Sequence, residues 1–576
     1  VTSARERIVY GAALVLLTVY ALTVPVGANG YTLHVATLSL YYALLAVSWA
    51  LLAGYAGQFS FAHMAFAALG GYTSALLVQH TGVPVPLGMA AGLLFAGVIG
   101  GVIGWLCLRM SGPYLALFTL AFAVIFQLIL LAEYQFTRGA LGLQVKPLFE
   151  SHTGKAYYYS MLLLLVAATA SMSLLLRSRV GLFLQAIRED EEAAAAGGVN
   201  TAWYRIFVFT VTSACAGLAG AFYGHFIGIL SPNLVTIPQM GLVVAMAVVG
   251  GIESLPGAIA GAILVYVLSE QFRDFGQMRF VLLGLVIMLT QRFLQNGLIA
   301  EGIIRLRRWY SRERSVASPP ASELTSAPAR GKFHHAVGES HIEVSGLVKR
   351  FGGIVAVDQV SFRLGQGELI GLIGPNGSGK TTLINLLSGA FKPDSGVILL
   401  DGGQPMHGQP AHRFAHRGIG RTFQIPRLFR RMTVLENLLV PALTLTGSHP
   451  REARAKANEV LAFLNLGALA SDPGRTLSGG QQKLLELGRA LMLDPRVLYL
   501  DEPFAGVNPR LLDQILDRIR LLNAQGYTIV VVDHNLDAVR RIANRLMVMA
   551  QGRLIADGQP AEVLRDPGVI AAYTGA

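Results

Sequence analysis

Gly374-Pro375-Asn376-Gly377-Ser378-Gly379-Lys380-Thr381 decides the fold of the second half of this chain. The stretch fits G-x-x-x-x-G-K-[ST], a loop that wraps the phosphates of a nucleotide. The apolar run Leu369 to Ile373 supplies a strand before it, and Thr382 to Leu387 reads as the helix after it. That is the order such a loop requires. Its glycines turn consecutive backbone N–H groups inward around phosphate oxygens, the helix start adds positive potential, and Lys380 adds a full charge. Thr381 offers its hydroxyl to Mg²⁺, and Thr382 completes the binding set. ATP with Mg²⁺ is the expected ligand.

Downstream, Val497-Leu498-Tyr499-Leu500-Asp501-Glu502 is an apolar strand ending in two acids. Asp501 is expected to hold Mg²⁺ through water, and Glu502 to polarise the attacking water as general base. Leu477-Ser478-Gly479-Gly480-Gln481 precedes a helix expected over Gln482 to Met492. There Ser478 and the following backbone N–H groups of Gly479, Gly480 and Gln481 make a second anion site. From His341 onward, short β-branched strands alternate with helical stretches, the pattern of an α/β domain over 341–576.

Upstream the composition changes. Ser311 to Ser340 is rich in Ser, Pro and Ala without hydrophobic period, so 307–340 reads as a linker. Over the whole chain of 576 residues only 14% are charged and 53% hydrophobic, against about 25% charged in an average soluble domain. The first 300 residues are nearly bare of charge, which makes 1–306 a membrane domain. The net charge of +12 is local. Arg305, Arg307, Arg308, Arg312 and Arg314 follow the last apolar run and suit anionic lipid heads. No aromatic-interleaved basic face argues for nucleic acid. Two cysteines, Cys107 and Cys215, both lie in apolar stretches and allow neither a disulfide framework nor a zinc site.

Runs able to span a bilayer as helices are Ile8 to Val26, His34 to Ala53, Phe61 to Val78, Leu87 to Leu108, Tyr114 to Ala132, Tyr158 to Leu176 and Phe207 to Leu230. Met240 to Gly250, Ala258 to Leu268 and a run from Phe280 follow, about ten segments in all. Ile8 to Val26 has no small-residue cleavage site after it and reads as a span rather than a signal peptide. Arg5, Arg7, Arg109, Arg177, Arg179, Arg188 and Arg205 then fall on one side, the cytoplasmic one. Gln58, Ser60 and His63 stand between apolar runs, either in an interfacial loop or where polar groups need partners. Arg188 to Gly197 is acidic, Ala-rich and ends in Gly197-Gly198, the signals of a short helix, either a solvated one or one that docks on the soluble domain.

With the loop at 374–381 and the Ser478 motif together, residues 341 to 576 resemble the nucleotide-binding domain of an ABC transporter. The resemblance makes Phe351 the aromatic that stacks on adenine, Gln424 the glutamine that senses γ-phosphate and metal, and His534 the switch histidine. Glu502, His534 and Gln424 are then the catalytic set, and Thr381, Gln424 and Asp501 the metal set. Asn508 and Asn535 stand where many cassettes have Asp. Gly54 to Tyr72, Leu108 to Leu120, Ala186 to Val199 and Val249 to Gly257 are similar to the LivM-type permeases of branched-chain amino acid uptake. The cassette, with Gly418 to Gln424 and Ala572-Tyr573-Thr574-Gly575, looks like their LivG-type ATPase. The implied architecture is an α-helical polytopic membrane domain followed by an α/β P-loop ABC domain in the cytoplasm, in a bacterial inner membrane. The implied function is ATP-driven uptake of branched-chain or similar amino acids. The implied partners are a second permease (LivH-like), a second ATPase (LivF-like) or a second copy of the chain, and an extracytoplasmic solute-binding protein. Import of urea, an amide or a carboxylate, or a membrane-tethered regulatory ATPase, are the alternatives.

Overall fold

The computed structural model describes residues 20, 25, 29–150, 154–276, 278–293, 297, 342–400, 403–445 and 449–574. Apart from Tyr20 and Pro25, the expected first span lies outside them, as do the linker and the arginine cluster beyond Ile304. Two units form: Val1–Arg188 with Ala202–Pro320, and Glu189–Thr201 with Ala321–Ala576.

The first unit is helical. Helix α1 (Gly30–Ala50) opens on Asn29, whose side chain accepts the Thr32 N–H at 2.8 Å, and ends in a π turn, Leu51–Tyr55. It is apolar around nearly its whole circumference and is buried, as such a helix must be. In chain order it is followed by α2 (His63–Thr81), α3 (Val85–Leu106), α4 (Pro113–Ala132) and α5 (Gly154–Arg177). The short α6 (Arg179–Glu189) and α7 (Glu191–Ala196) follow, then α8 (Thr201–Ile227), α9 (Ile237–Gly250), α10 (Leu255–Gln271) and α11 (Met278–Phe293). Five of the described helices are long and apolar enough to cross a membrane, and α9 and α10 are shorter apolar helices. With Leu94, Val98, Leu117, Ile125, Leu128 and Leu163 exposed, this is a membrane protein.

Packing in this unit depends on missing side chains. A methyl on Gly70 of α2 would overlap the backbone of Gly217 in α8, and one on Gly92 of α3 would overlap Gly70. Small residues let helix backbones approach where lipid provides no hydrophobic drive. The polar stretch before α2 lies in the interior rather than in an interfacial loop: Gln58, Ser60 and His63 are all buried. Trp49 donates to the Ser60 carbonyl at 2.8 Å, and the Phe61 N–H donates to Thr119 Oγ1 at 3.0 Å. Between α9 and α10 the chain reverses through Gly251, at φ 111°, and Ser254 caps α10 by accepting the Gly257 N–H at 3.1 Å.

The second unit is an α/β domain. An antiparallel sheet joins β2 (Ile354–Leu364), β1 (Ile342–Phe351) and β4 (Ser395–Leu400), with a two-residue strand at Gln404–Pro405. A six-stranded sheet runs β9 (Arg553–Gly558), β8 (Arg545–Ala550), β3 (Leu369–Ile373), β7 (Thr528–Val532), β6 (Val497–Asp501) and β5 (Ile419–Arg421). All its pairings are parallel except β8 with β9. Strands β3, β6 and β7 are buried along their length, which their continuous apolar runs demand in a sheet covered on both faces. The carboxyl ends of these three neighbours present the loop at 374, the acids at 501–502 and His534, the edge where open α/β sheets bind ligands.

Residues 189–201 complete this unit. Asp190 caps α7, accepting the Ala193 N–H at 2.8 Å. Arg427 meets Glu192 at 2.9 Å and Asp190 at 3.4 Å, and the Arg431 N–H donates to Glu189 at 3.3 Å. Thr444 donates to the Gly197 carbonyl at 3.1 Å, and Arg489 to that of Ala193 at 3.2 Å. The expected short helix is therefore docked rather than solvated.

Candidate functional site

The phosphate-binding candidates lie between β3 and helix α12 (Lys380–Leu387), which starts two residues before the expected Thr382. Gly374, Gly377 and Gly379 have φ of 149°, 79° and 100°, values open to glycine at little cost. A methyl on Gly374 would run into the Met549 carbonyl and one on Gly379 into that of Ala356. The cradle thus tolerates no side chains at these points. Lys380 Nζ bends back over it, donating to the carbonyls of Gly374 and Pro375 at 2.9 Å each and to Ser378 Oγ at 3.4 Å. Burial holds the Lys380 ammonium below its ordinary pKa, opposed by the charges of Glu502 and Asp501.

Asp501 ends β6, almost fully buried. Burial pushes its carboxyl up to about 6, against the pull of Arg421. Its backbone N–H donates to Thr422 Oγ1 at 3.1 Å, while its Oδ1 is buried with no hydrogen-bond partner. An orphaned buried carboxylate oxygen beside a phosphate cradle fits a divalent cation. The donor set of Asp501, Thr381 and Gln424, all oxygen ligands, fits Mg²⁺ in particular.

Glu502 sits at φ 46°, the left-handed region that a branched or long side chain occupies only under tertiary constraint. Three bonds hold it. Its N–H donates to the Val532 carbonyl at 2.7 Å, Lys483 Nζ donates to its carbonyl at 2.7 Å, and Gln424 Nε2 donates to its Oε1 at 3.0 Å. His534 Nδ1 stands 4.0 Å from Glu502 Oε2, its ring largely exposed. Asp533, wholly buried, accepts the N–H groups of Phe504 at 3.0 Å and Asn535 at 2.9 Å and so fixes the backbone on either side. Lys380, Gln424, Asp501, Glu502 and His534 therefore form one cluster.

Phe351 ends β1 and is 45% exposed, a strand-end ring with a face open to an aromatic ligand rather than a core residue. Phe391 stands at 72° to it with ring centroids 5.5 Å apart, and Lys349 Nζ lies 5.6 Å from its centroid. The Ser478 motif stands apart: among the described residues no hydrogen bond joins Ser478, Gly479, Gly480 or Gln481 to the cradle. Its helix α16 (Gly479–Leu491) begins three residues before the expected Gln482, because Ser478 and Gln481 form a reciprocal capping box. Gly479 has open space about it. Both Asn departures are helix caps: Asn508 accepts the Leu511 N–H at 2.9 Å and Asn535 that of Ala538 at 3.1 Å. Asn caps as well as Asp does.

Four charged residues went unread in the sequence. Arg421 donates to Asn385 at 2.8 Å and Ser388 at 2.7 Å and stacks on Phe423 at 4.4 Å, tying the end of β5, three residues before Gln424, to α12. Lys483, Glu486 and Arg489 occupy one side of α16; Glu486 accepts the Arg427 N–H at 3.2 Å and Arg489 stacks on Phe429 at 4.4 Å. Their spacing of three, with Glu486 and Arg489 inside the apolar run Leu484 to Leu491 and Lys483 just before it, was the available signal.

Residues 31–291 match the family described as branched-chain amino acid transport system / permease component. Residues 357–505 match that described as ABC transporter, and 553–576 that described as branched-chain amino acid ATP-binding cassette transporter. The high-affinity branched-chain amino acid transport ATP-binding protein BraF of Pseudomonas aeruginosa is 39% identical over 252 residues, 41% of this chain and 97% of that protein. LivG of Escherichia coli K12, named for the same transport, is 40% identical over 251 residues, 41% of this chain and 97% of that protein. A crystal structure of a nucleotide-free ATP-binding cassette from an ABC transporter shares 37% identity over 41% of this chain and 98% of that one, with a TM-score of 0.37.

Proposed function

Because this chain belongs to the branched-chain amino acid ABC transporters, with permease and ATP-binding cassette on one polypeptide, we propose that it is one half of an ATP-driven importer of branched-chain or similar amino acids. The observation that carries this reading is the docking of Glu189–Thr201, taken from within the permease sequence, among Arg427, Arg431, Thr444 and Arg489 of the cassette unit. A cassette serving only as a membrane-tethered regulator has no need of such an insertion.

In this reading the amides of 374–382 and the Lys380 ammonium hold the phosphates of ATP, and Phe351 stacks on the adenine. Mg²⁺ at Thr381, Asp501 and Gln424 would neutralise charge that builds on the phosphates during transfer. Lys380 leaves the carbonyls of Gly374 and Pro375 to meet that charge, and Gln424 leaves Glu502. Glu502 then takes a proton from the attacking water, with His534 beside it to steady the γ-phosphate. Ser478, Gly479, Gly480 and Gln481 stand apart from the cradle and serve the phosphates of a second cassette. The partners proposed are therefore a second ATPase and a second permease, LivF-like and LivH-like or another copy of this chain, and an extracytoplasmic binding protein that delivers solute. The membrane is the bacterial inner membrane, with the cassette in the cytoplasm. ATP must favour one arrangement of the assembly over the other, since a ligand without differential affinity shifts no equilibrium.

Uptake of radiolabelled leucine into proteoliposomes holding the full chain, its partner subunits and the binding protein tests the reading. ATP-dependent accumulation that Glu502→Gln abolishes is expected. Hydrolysis without accumulation of leucine or any other solute offered would overturn it.

A further inference from the structure

The membrane unit carries a charged knot of its own. Arg188, at the end of α6, donates a hydrogen bond to the Gly54 carbonyl and pairs with Glu253 at 3.2 Å. Tyr55 donates its hydroxyl to the Glu253 carbonyl at 2.7 Å. The Arg188 stem lies so close to Gly57 that a methyl there would sit 2.9 Å from its Cγ, and a methyl on Gly54 would overlap the Ile252 carbonyl. Three pieces of backbone are thereby gathered: the π turn closing α1, the last turn of α6, and the reversal between α9 and α10. The final carbonyls of a helix lack intrahelical partners and bear partial negative charge, so a guanidinium is well matched to them. One guanidinium nitrogen, Nη1, reaches the carbonyl and the carboxylate together, a position that a lysine ammonium on its shorter stem reproduces only in part. Arg188 is also the last residue of the membrane unit before the docked segment, whose first residue, Glu189, accepts the Arg431 N–H at 3.3 Å in the cassette unit.

We propose that Arg188 is a positioning residue for transport: its guanidinium fastens the ends of α1 and of the α9–α10 hairpin to α6, so that displacement of residues 189–197 moves those helix ends. The proposal rests on the importer reading. Nucleotide binding and hydrolysis need no part of the knot, so its removal uncouples them from movement of solute.

The test measures solute accumulated per ATP hydrolysed in proteoliposomes of the full chain with the partners that support uptake, for wild type, Arg188→Ala, Arg188→Lys, Glu253→Gln and the double variant Arg188→Ala/Glu253→Gln. Arg188→Ala is expected to lower the ratio about fivefold or more, within the usual range of coupling between sites, while hydrolysis continues. Arg188→Lys recovers part of the loss, Glu253→Gln loses less, and the double variant matches Arg188→Ala, because both changes break one contact. A wild-type ratio in Arg188→Ala, or additive losses in the double variant, overturns the proposal. Should Arg188→Ala fail to reach the membrane, Glu253→Gln decides, its side chain being 47% exposed and tolerant of change; an unaltered ratio there overturns the proposal. Wild type that accumulates nothing overturns the importer reading and the proposal together, whereas wild-type uptake with an unaltered variant ratio overturns the proposal alone.

Discussion

Gln424 Nε2 donates a hydrogen bond to Glu502 Oε1 at 3.0 Å, across 78 residues of sequence. The amide occupies a lone pair that a general base needs for water, so the carboxylate is held and engaged at once. In the mechanism proposed above, this bond breaks before Glu502 takes the proton. Glu502→Gln keeps the shape and removes the base. We expect it to retain ATP binding while single-turnover hydrolysis falls by about 10²-fold or more, the usual contribution of a positioned base. Undiminished hydrolysis in a rapid-quench assay would remove Glu502 from that role.

Lys483 holds the Glu502 carbonyl at 2.7 Å and so helps keep that residue at its positive φ. Lys483→Met retains the apolar stem and loses the bond. The expected result is a lower kcat with ATP affinity little changed, since the contact is made to the backbone of the base and not to the cradle. Equal losses in kcat and affinity would point to a wider disturbance.

Phe351 presents a half-exposed ring at the strand end. Phe351→Ala should weaken ATP binding by roughly 1–3 kcal/mol, the range for a base stacked on an aromatic, and Phe351→Tyr should restore it. Equilibrium binding of a fluorescent ATP analogue to Glu502→Gln protein measures both without turnover.

Glu486 and Arg489 are buried together beneath the 189–201 segment. Arg489→Met leaves an uncompensated acid and should destabilise the cassette by about 3–5 kcal/mol. Added to Glu486→Gln, the same change should cost much less, because the charge left behind is gone. Chemical denaturation of the full chain in detergent, followed through the cassette transition, measures the difference.

Burial pushes the Glu486 carboxyl from an ordinary 4.5 up to about 7, although Arg489 and the N–H groups of Arg427 and Phe423 pull it back. The folded cassette therefore binds this proton more tightly than the unfolded chain. Its stabilising contribution is full below about pH 4.5 and is lost as pH rises through about 7. The cassette's thermal midpoint should fall over that interval, and Glu486→Gln should flatten the slope. An identical slope in the variant would assign it to other groups.

Strand β3 was legible residue for residue and β6 to within one residue, because buried parallel strands read as unbroken apolar runs between turn signals. The cradle was equally plain, since a glycine pattern between strand and helix admits few other folds. Helix starts were less legible. The α16 boundary turns on Ser478 and Gln481 capping each other, a pattern visible in the sequence but outweighed by the glycines between them. Membrane helices such as α5 and α8 begin well before their apolar runs, α5 at Gly154 instead of Tyr158 and α8 at Thr201 instead of Phe207, because backbone hydrogen bonding continues where hydropathy fades. The bond between Gln424 and Glu502 joins two loops by tertiary placement, and no local pattern encodes it. The burial of Glu486 and Arg489 ran against the rule that charges face water, which their mutual proximity relaxes.

The docking of Ala193 against Arg489 also orders events in time. These two residues are 296 apart in sequence, so at synthesis rates of about 5–20 residues per second Arg489 is made roughly 15–60 s after the carbonyl it will bind. During that interval water is left to solvate the charges of Glu189, Asp190, Glu191 and Glu192. The acidic run that receives Arg427 and Arg431 is thus made well before either arginine, and its folded contacts wait for the cassette to be synthesised.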